Sequence, residues 1–341
     1  FNDVTAAAGI AEYPYLPGAA AFVDVDHDGD LDLVVAGLAD LNESRARAAA
    51  GALVFPSGFA PAPLQLLRNN GHGTFTDTTV EARLTTTGHA IAIVPADFDN
   101  RRDVDLLIVN RIGPPQLFKN LRDGTFRDVA GEVGLTAIVR PDDEITAVTA
   151  ADVNKDDFPD FFFARASGGV FAMSDGRERF TERAAPSGAH ASLAAQFADY
   201  DNDGLLDLIT WSDAGAQLFR NLGNRWSEVT DAILPSQYRA ARPSSARALA
   251  LADLDRDGRT DVVLADGGSL AVYRNTAVAA SRSVRIALKG LSSNRLGIGS
   301  KVQVRAGSLR SRLETSAATP PAAPADLVFG LGRRSGADAI R

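Results

Sequence analysis

The sequence predicts an all-β fold: a β-propeller of five four-stranded antiparallel blades, followed by a small C-terminal β domain. Three observations carry this expectation. The stretch "AFVDVDHDGDLDLVV" (residues 21–35) recurs as "ADFDNRRDVDLLIVN" from Ala96, "ADVNKDDFPDFFFA" from Ala151, "ADYDNDGLLDLIT" from Ala198 and "ADLDRDGRTDVVLA" from Ala252. Most copies follow a small-residue segment, and all run into β-branched or aromatic residues, which reads as two strands joined by a loop. Downstream come "LQLLRNNGHGTFTDTT", "PQLFKNLRDGTFRDVA", "GVFAMSDGRERFTERA" and "AQLFRNLGNRWSEVT". Each reads as a third strand, an Asn/Asp/Gly turn and a fourth strand led by Phe75, Phe126, Phe180 or Trp226.

The loops begin at Asp24, Asp97, Asp152, Asp199 and Asp253, a repeat of about 50 residues with roughly 20 more in the first unit. A four-stranded meander cannot bury both faces alone, so radial packing is expected, with the alanine-rich first strands at the crowded axis. The fifth unit has a third strand, "LAVYRN", and no fourth, while the chain opens on an unassigned "FNDVT". Closure of the ring by that N-terminal strand follows as an expectation, since it would remove exposed sheet edges. Residues 281–341 hold 11 Lys/Arg against 3 Asp/Glu, in a chain of net charge −8. That shift places a boundary near residue 280, separating 1–280 from a basic 281–341.

The loops carry the chemistry. Oxygen-bearing side chains recur at positions 1, 3, 5 and 9, with Gly usually at 6 and a backbone carbonyl offered at 7. This is the donor set of Ca²⁺, which takes six to eight hard oxygens in flexible geometry. The expected ligands are Asp24, Asp26, Asp28, Asp30 and Asp32 in loop one, and Asp152, Asn154, Asp156, Phe158 and Asp160 in loop three. Loop four contributes Asp199, Asp201, Asp203, Leu205 and Asp207, and loop five Asp253, Asp255, Asp257, Arg259 and Asp261. Asp30, Phe158, Leu205 and Arg259 would serve through their carbonyls. In loop three Asp157 stands for Gly, a replacement Asp tolerates because it enters the left-handed region more readily than most residues. Loop two keeps Asp97, Asp99 and Asp105 but has Arg101 and Arg102 at positions 5 and 6. It reads as degenerate, one arginine partly replacing the ion, so about four Ca²⁺ are expected in all. An EF-hand is excluded by Val35, Ile108, Phe163, Thr210 and Leu264 at position 12, where its bidentate Glu would sit.

With their D-x-D-x-D-G-x-x-D loops, the units resemble FG-GAP (VCBS-type) repeats, the blades of integrin α-subunit propellers, over roughly residues 1–280. The tail, through "VRIALKGLSSNRLGIGSKVQVRAG" and "VFGLGRRSGADAIR", is similar to the ASPIC/UnbV domain of the cartilage acidic protein-like family. That motif usually continues past the equivalent of Arg341, so the sequence is expected to end inside the domain. Integrin propellers have seven blades against five here, so their ligand sites do not transfer. The resemblance implies an extracytoplasmic protein whose export signal lies outside this sequence, and no established reaction.

Other chemistry is sparse. There is no cysteine, no H-E-x-x-H and no G-x-S-x-G, and the four histidines (His27, His72, His89 and His190) fall in turns or at strand starts. No apolar run approaches the 18 residues of a membrane span. The basic tail reads as a solvated sheet face, or as a surface docked on the acidic propeller, rather than a nucleic-acid site. "AATPPAAPA" (317–325) reads as a flexible or polyproline-like loop. The expected function is non-enzymatic recognition, adhesion or scaffolding, with a protein or glycan ligand on the face opposite the calcium loops, near Tyr13, Tyr15 and Tyr238. A lectin-like module is the alternative, and a polysaccharide-cleaving enzyme carries less weight.

Overall fold

Strands form on either side of every aspartate loop, because each flanking segment places apolar side chains on faces that a neighbouring sheet can cover. In the computed structural model the described residues are 1–341 apart from 49–53, 57, 87, 190–191, 214, 235–246, 267, 278–280, 292 and 322. Tyr238 and His190 lie outside them. Sheet one comprises β1 (Leu16–Val23), β2 (Asp32–Ala39), β3 (Gln65–Asn69) and β4 (Phe75–Asp77), with α1 (Leu41–Ala48) between β2 and β3. Sheet two holds β5 (Ala90–Ala96), β6 (Asp105–Asn110), β7 (Gln116–Asn120) and β8 (Phe126–Asp128), and is followed by α2 (Leu135–Ile138). Sheet three is β9 (Ile145–Ala151), β10 (Asp160–Arg165), β11 (Val170–Ser174) and β12 (Phe180–Ala184). Sheet four is β13 (Ser192–Ala198), β14 (Asp207–Ser212), β15 (Gly215–Asn221) and β16 (Trp226–Glu228), followed by α3 (Thr230–Ile233). Sheet five has three strands, β17 (Arg247–Ala252), β18 (Asp261–Asp266) and β19 (Ser269–Tyr273). The architecture is all-β and propeller-like.

Successive sheets pack through apolar clusters. Val34 and Leu66 meet Ile93 and Leu106 between sheets one and two. Leu107 and Val109 meet Phe161 and Phe163 between two and three, Phe162 and Phe171 meet Phe197 and Phe219 between three and four, and Ile209 and Trp211 meet Leu249 and Leu264 between four and five. A fully buried Phe such as Phe161 or Phe162 contributes about 2–3 kcal/mol through its lost water contact. The first strands are small because their backbones converge: a Cβ on Gly18 would sit 2.0 Å from Ala90 O.

Ring closure differs from the sequence expectation. Phe1 is fully exposed, residues 1–5 form no strand, and Leu270 and Val272 of β19 remain exposed. The N-terminal segment is anchored to sheet one instead, where Phe75 N–H donates to Ala8 O at 2.8 Å. The same bond joins Phe126 to Ala82 and Phe180 to Val133, so residues 1–9 repeat the turn that follows an outer strand. β4, β8 and β16 are three-residue strands held in register by the hairpins that precede them. "FNDVT" has no such tether, and the entropy of closing a loop around the whole ring outweighs so short a ladder.

The gap between sheets five and one is spanned by the C-terminal residues. There β20 (Arg282–Ile286) pairs with β24 (Leu327–Gly332), and β21 (Lys301–Ala306) with β22 (Leu309–Glu314) and β25 (Ala339–Ile340). Between them β23 (Ala317–Thr319) joins the inner edge of β1, Ala20 opposite Thr319 and Phe22 opposite Ala317. The chain then crosses the axis. Pro320 and Pro321 line a cavity with Ala92, Ala147, Ala195 and Leu249, Gln196 Nε2 donates to Pro321 O at 3.3 Å, and Ala325 N–H donates to Leu251 O of β17 at 2.9 Å. Residues 317–321 and 323–325 of the "AATPPAAPA" stretch are therefore a strap through the axis, not a free loop. Proline suits it because an extended strap needs few donors of its own.

Candidate metal centre

All five loops share one backbone course. Position 4 is left-handed in each (His27, Asn100, Lys155, Asn202 and Arg256, φ 57–65), and so is position 6, with Gly29, Gly204 and Gly258 joined by Arg102 (φ 71) and Asp157 (φ 73). A non-glycine residue there costs about 1–2 kcal/mol, which loops two and three sustain.

Carboxylates build this turn from within. Position 1 accepts the N–H groups of positions 5 and 6: Asp199 takes Asp203 N at 3.0 Å and Gly204 N at 2.8 Å, and Asp253 takes Asp257 N at 2.9 Å and Gly258 N at 3.0 Å. Asp97 does the same with Arg101 and Arg102, and Asp152 with Asp156 and Asp157. In loop one Asp24 accepts Gly29 N at 3.1 Å. Position 5 accepts the N–H of position 7, so Asp30, Phe158, Leu205 and Arg259 donate to Asp28, Asp156, Asp203 and Asp257.

Position 9 is the structural node. One oxygen accepts the N–H of position 2, the other an N–H at the end of the third strand or, in loop five, two residues beyond it. For Asp32 these donors are Val25 (2.9 Å) and Asn69 (2.8 Å), and for Asp207 Tyr200 (3.2 Å) and Asn221 (2.8 Å). Asp105, Asp160 and Asp261 bond likewise to Asn120, Ser174 and Asn275. The asparagine side chains extend the tie across sheets: Asn120 Nδ2 donates to Val25 O at 2.8 Å and Asn275 Nδ2 to Tyr200 O at 2.7 Å. These asparagines are absent from the sequence reading, although "RNN", "KNL", "RNL" and "RNT" recur in phase.

Among the described residues, oxygens of Asp24, Asp26 and Asp32 lie within 4.8 Å of one another, as do those of Asp97, Asp99 and Asp105, of Asp199, Asp201 and Asp203, and of Asp253, Asp255 and Asp261. Loop three forms no such group. There Asn154 turns its amide Nδ2 onto Asp156 Oδ2 at 3.1 Å. Burial, reinforced by Asp203, pushes Asp199 up to about 8. Burial and then Asp199 hold Asp207 well above the usual carboxylate range. Burial raises Asp160 and Asp105 to about 8, and Asp32 and Asp152 to about 6. In loop one Asp24 Oδ1 is buried without a hydrogen-bond partner. A buried, partnerless carboxylate oxygen beside two more carboxylates fits a hard divalent cation, which would neutralise their repulsion. The residues placed to hold it are Asp24, Asp26 and Asp32 in loop one, Asp199, Asp201 and Asp203 in loop four, and Asp253, Asp255 and Asp261 in loop five.

The basic residue before the recurrent asparagine also faces its own loop. Lys119 Nζ lies 2.6 Å from Asp99 Oδ2, Arg220 Nη2 lies 2.6 Å from Asp201 and 2.9 Å from Asp203, and Arg274 contacts Asp255 and Asp257. The C-terminal residues cover the loop face. Ser293 Oγ donates to Gly29 O (2.6 Å), Arg312 Nη1 to Asn100 Oδ1 (2.9 Å), Gln303 Nε2 to Asp157 Oδ1 (2.9 Å) and Gly332 N to Asn202 O (2.8 Å). At loop five Arg285 Nε stands 3.6 Å from Asp253 Oδ2. The basic tail is thus docked on the acidic loops, its Lys301 and Gln303 turned to them rather than to solvent.

A profile of the FG-GAP-like repeat matches residues 97–163 and 199–264. The chain thus resembles FG-GAP-like repeats over these two spans. Cartilage acidic protein 1 of Xenopus tropicalis is 29% identical over 202 residues, 54% of this chain and 30% of that protein. The Homo sapiens protein of the same name is 28% identical over 180 residues, 49% of this chain and 26% of that protein. The match thus spans less than a third of either relative. An Agrocybe aegerita lectin that recognises non-reducing terminal N-acetylglucosamine is similar in structure at 15% identity and a TM-score of 0.46, over 76% of this chain and 66% of the lectin. The V. cholerae biofilm matrix protein Bap1 is similar at 10% identity and a TM-score of 0.41, over 90% of this chain and 53% of Bap1. In the FG-GAP-like repeats of this chain both matched spans start at position 1 of a loop, Asp97 and Asp199. No helix among the described residues is long and apolar enough to cross a membrane.

His27 Nε2 pairs with Asp103 Oδ1 at 2.9 Å, His72 Nδ1 with Thr74 Oγ1 at 3.0 Å and His89 Nδ1 with Leu38 O at 2.7 Å. Each is accounted for by local structure. Among the described residues, the face opposite the loops carries an open cleft of about 320 Å³, lined by Glu12, Tyr13, Tyr15, Pro63, Gln65 and Glu81 among others. The tyrosine rings meet edge to face at 5.2 Å, and Tyr13 OH donates to Pro63 O at 2.6 Å.

Proposed function

We propose that this chain is a calcium-stabilised, non-catalytic recognition or scaffold module of an extracytoplasmic protein. The five sheets are the blades of a propeller and residues 281–341 an ASPIC/UnbV-like domain. The observation that carries the calcium reading is the shared loop geometry, with Asp24 Oδ1 buried and partnerless beside Asp26 and Asp32. Calcium at loops one, four and five would hold the hairpin between the first two strands of each blade. Titration with Ca²⁺ followed by calorimetry and anomalous scattering tests it: ions at these loops are expected, and no heat and no ion would overturn it.

The ligand surface follows from what the cap leaves free. With the loop face and the axis covered by C-terminal residues, the opposite face carries recognition, and the Tyr13–Tyr15 cleft is a concavity on it. Aromatic rings beside Gln65, Glu12 and Glu81 suit a saccharide, whose apolar face stacks on a ring while its hydroxyls meet carboxylates and amides. This favours a glycan over a large protein epitope. Tyr15→Ala should abolish glycan-array binding while leaving melting unchanged. Binding retained by that variant would move the site elsewhere.

A further inference from the structure

Loop two differs from the other loops in what stands among its carboxylates. Asp97, Asp99 and Asp105 are 3%, 8% and 1% exposed. Lys119 Nζ lies 2.6 Å from Asp99 Oδ2, its side chain only 12% exposed. A second ammonium arrives from β21, 204 residues along the chain. Lys301 Nζ contacts Asp97 Oδ2 and lies 3.1 Å from Asn100 Oδ1 and 3.4 Å from Asp97 O. Arg101, at position 5, reaches Asp99 Oδ2 with its Nε at 3.3 Å and Glu178 with its Nη2 at 2.6 Å, so it supplements the two ammonium groups from the exposed side. In loops four and five the cations on both the position-3 and the position-5 carboxylates are arginines, 36% and 62% exposed, while at position 1 of loop five Arg285 Nε stands off at 3.6 Å from Asp253 Oδ2. The two rim arginines can swing into water when an ion enters, whereas Lys119 and Lys301, 12% and 21% exposed, are also held by Glu178 and Asn100.

We propose that the ammonium of Lys301, with that of Lys119, permanently replaces the ion in loop two. This makes the loop a metal-independent latch between the propeller and the C-terminal domain. Two ammonium groups donate up to six hydrogen bonds to the carboxylate and carbonyl oxygens that an ion would otherwise gather. Arg312 extends the latch through Asn100. Latching is therefore calcium-independent at loop two and calcium-sensitive elsewhere on the same face, so the cap stays attached when calcium is withdrawn. The contrast with loops one, four and five rests on the calcium reading above, while the latch itself does not.

Hydrogen exchange of the full chain with and without chelator, combined with anomalous scattering from Ca²⁺-soaked crystals, tests this. In chelator, loop two and residues 301–306 of the wild type should stay protected while loops one, four and five exchange faster. No ion should appear in loop two. Lys301→Met keeps the aliphatic stem and removes the charge, and should speed exchange in both segments by at least about tenfold. Lys301→Arg should retain protection, and it keeps the test available if the methionine variant fails to fold. An ion in wild-type loop two, unchanged exchange in Lys301→Met, or lost protection in Lys301→Arg would each overturn the latch. If no loop binds calcium but Lys301→Met still loosens both segments, the calcium reading fails and the latch stands.

Discussion

Asp32 accepts the N–H of Asn69 at 2.8 Å, 37 residues away, while its other oxygen takes Val25 N–H at 2.9 Å. One side chain thereby fastens the end of the third strand to the start of the loop between the first two. The same pair of bonds recurs at every loop, so the carboxylate at position 9 is a strand tie whether or not it also holds a metal.

Replacing Asp32 or Asp207 by alanine should therefore destabilise the protein even with calcium absent. Two buried N–H groups would lose their acceptor, at a cost of about 3 kcal/mol. Urea denaturation in chelator reads this directly, and a loss equal to that of a rim change such as Asp26→Ala would remove the tie.

Calcium withdrawal should lower the melting temperature by at least about 5 °C, since each site at a hundredfold excess over Kd contributes about 2.7 kcal/mol. Asp203→Ala and Asp257→Ala should reduce the response to calcium, and Asp99→Ala should leave it intact. Identical melting with and without chelator would end the calcium proposal.

Tyr13 titrates late. Burial, then the neighbouring Tyr15, pushes its hydroxyl up to about 12. The folded value lies above the unfolded one near 10, so its contribution is fully present below pH 10 and is lost as pH rises towards 12. Wild type should lose more stability than Tyr13→Phe across that window, with Tyr13 absent from the early phenolate absorbance alongside Tyr200, which burial also pushes up to about 12. Full ionisation near pH 10 would contradict this placement.

The cap's grip on loop four can be broken sterically. A Cβ at Gly330 would fall 1.9 Å from Asp199 Oδ2 and 2.6 Å from the backbone of Asn202. Gly330→Val should lift β24 from the loop, at about 1–3 kcal/mol, and open the C-terminal residues to limited proteolysis. An unchanged digestion pattern would show that the contact is dispensable.

Much of this protein was legible in its sequence. β-Branched and aromatic runs such as "LDLVV" and "PDFFFA" become strands because their side chains have a sheet on both faces, and the aspartate spacing sets a loop with the same two left-handed positions in all five copies. These are local effects, decided by residues close together in the chain. Position 4, held left-handed by His27 or Lys155, has no compositional mark and escapes such a reading. Sequence alone thus determined the repeat, the strands and the carboxylate turns. Tertiary structure decided what meets across long separations: that "FNDVT" stays off sheet five, that the described residues of "AATPPAAPA" thread the axis, and that Lys301 enters loop two. Those outcomes weigh loop-closure entropy against burial and charge pairing over hundreds of residues, a balance no local pattern records.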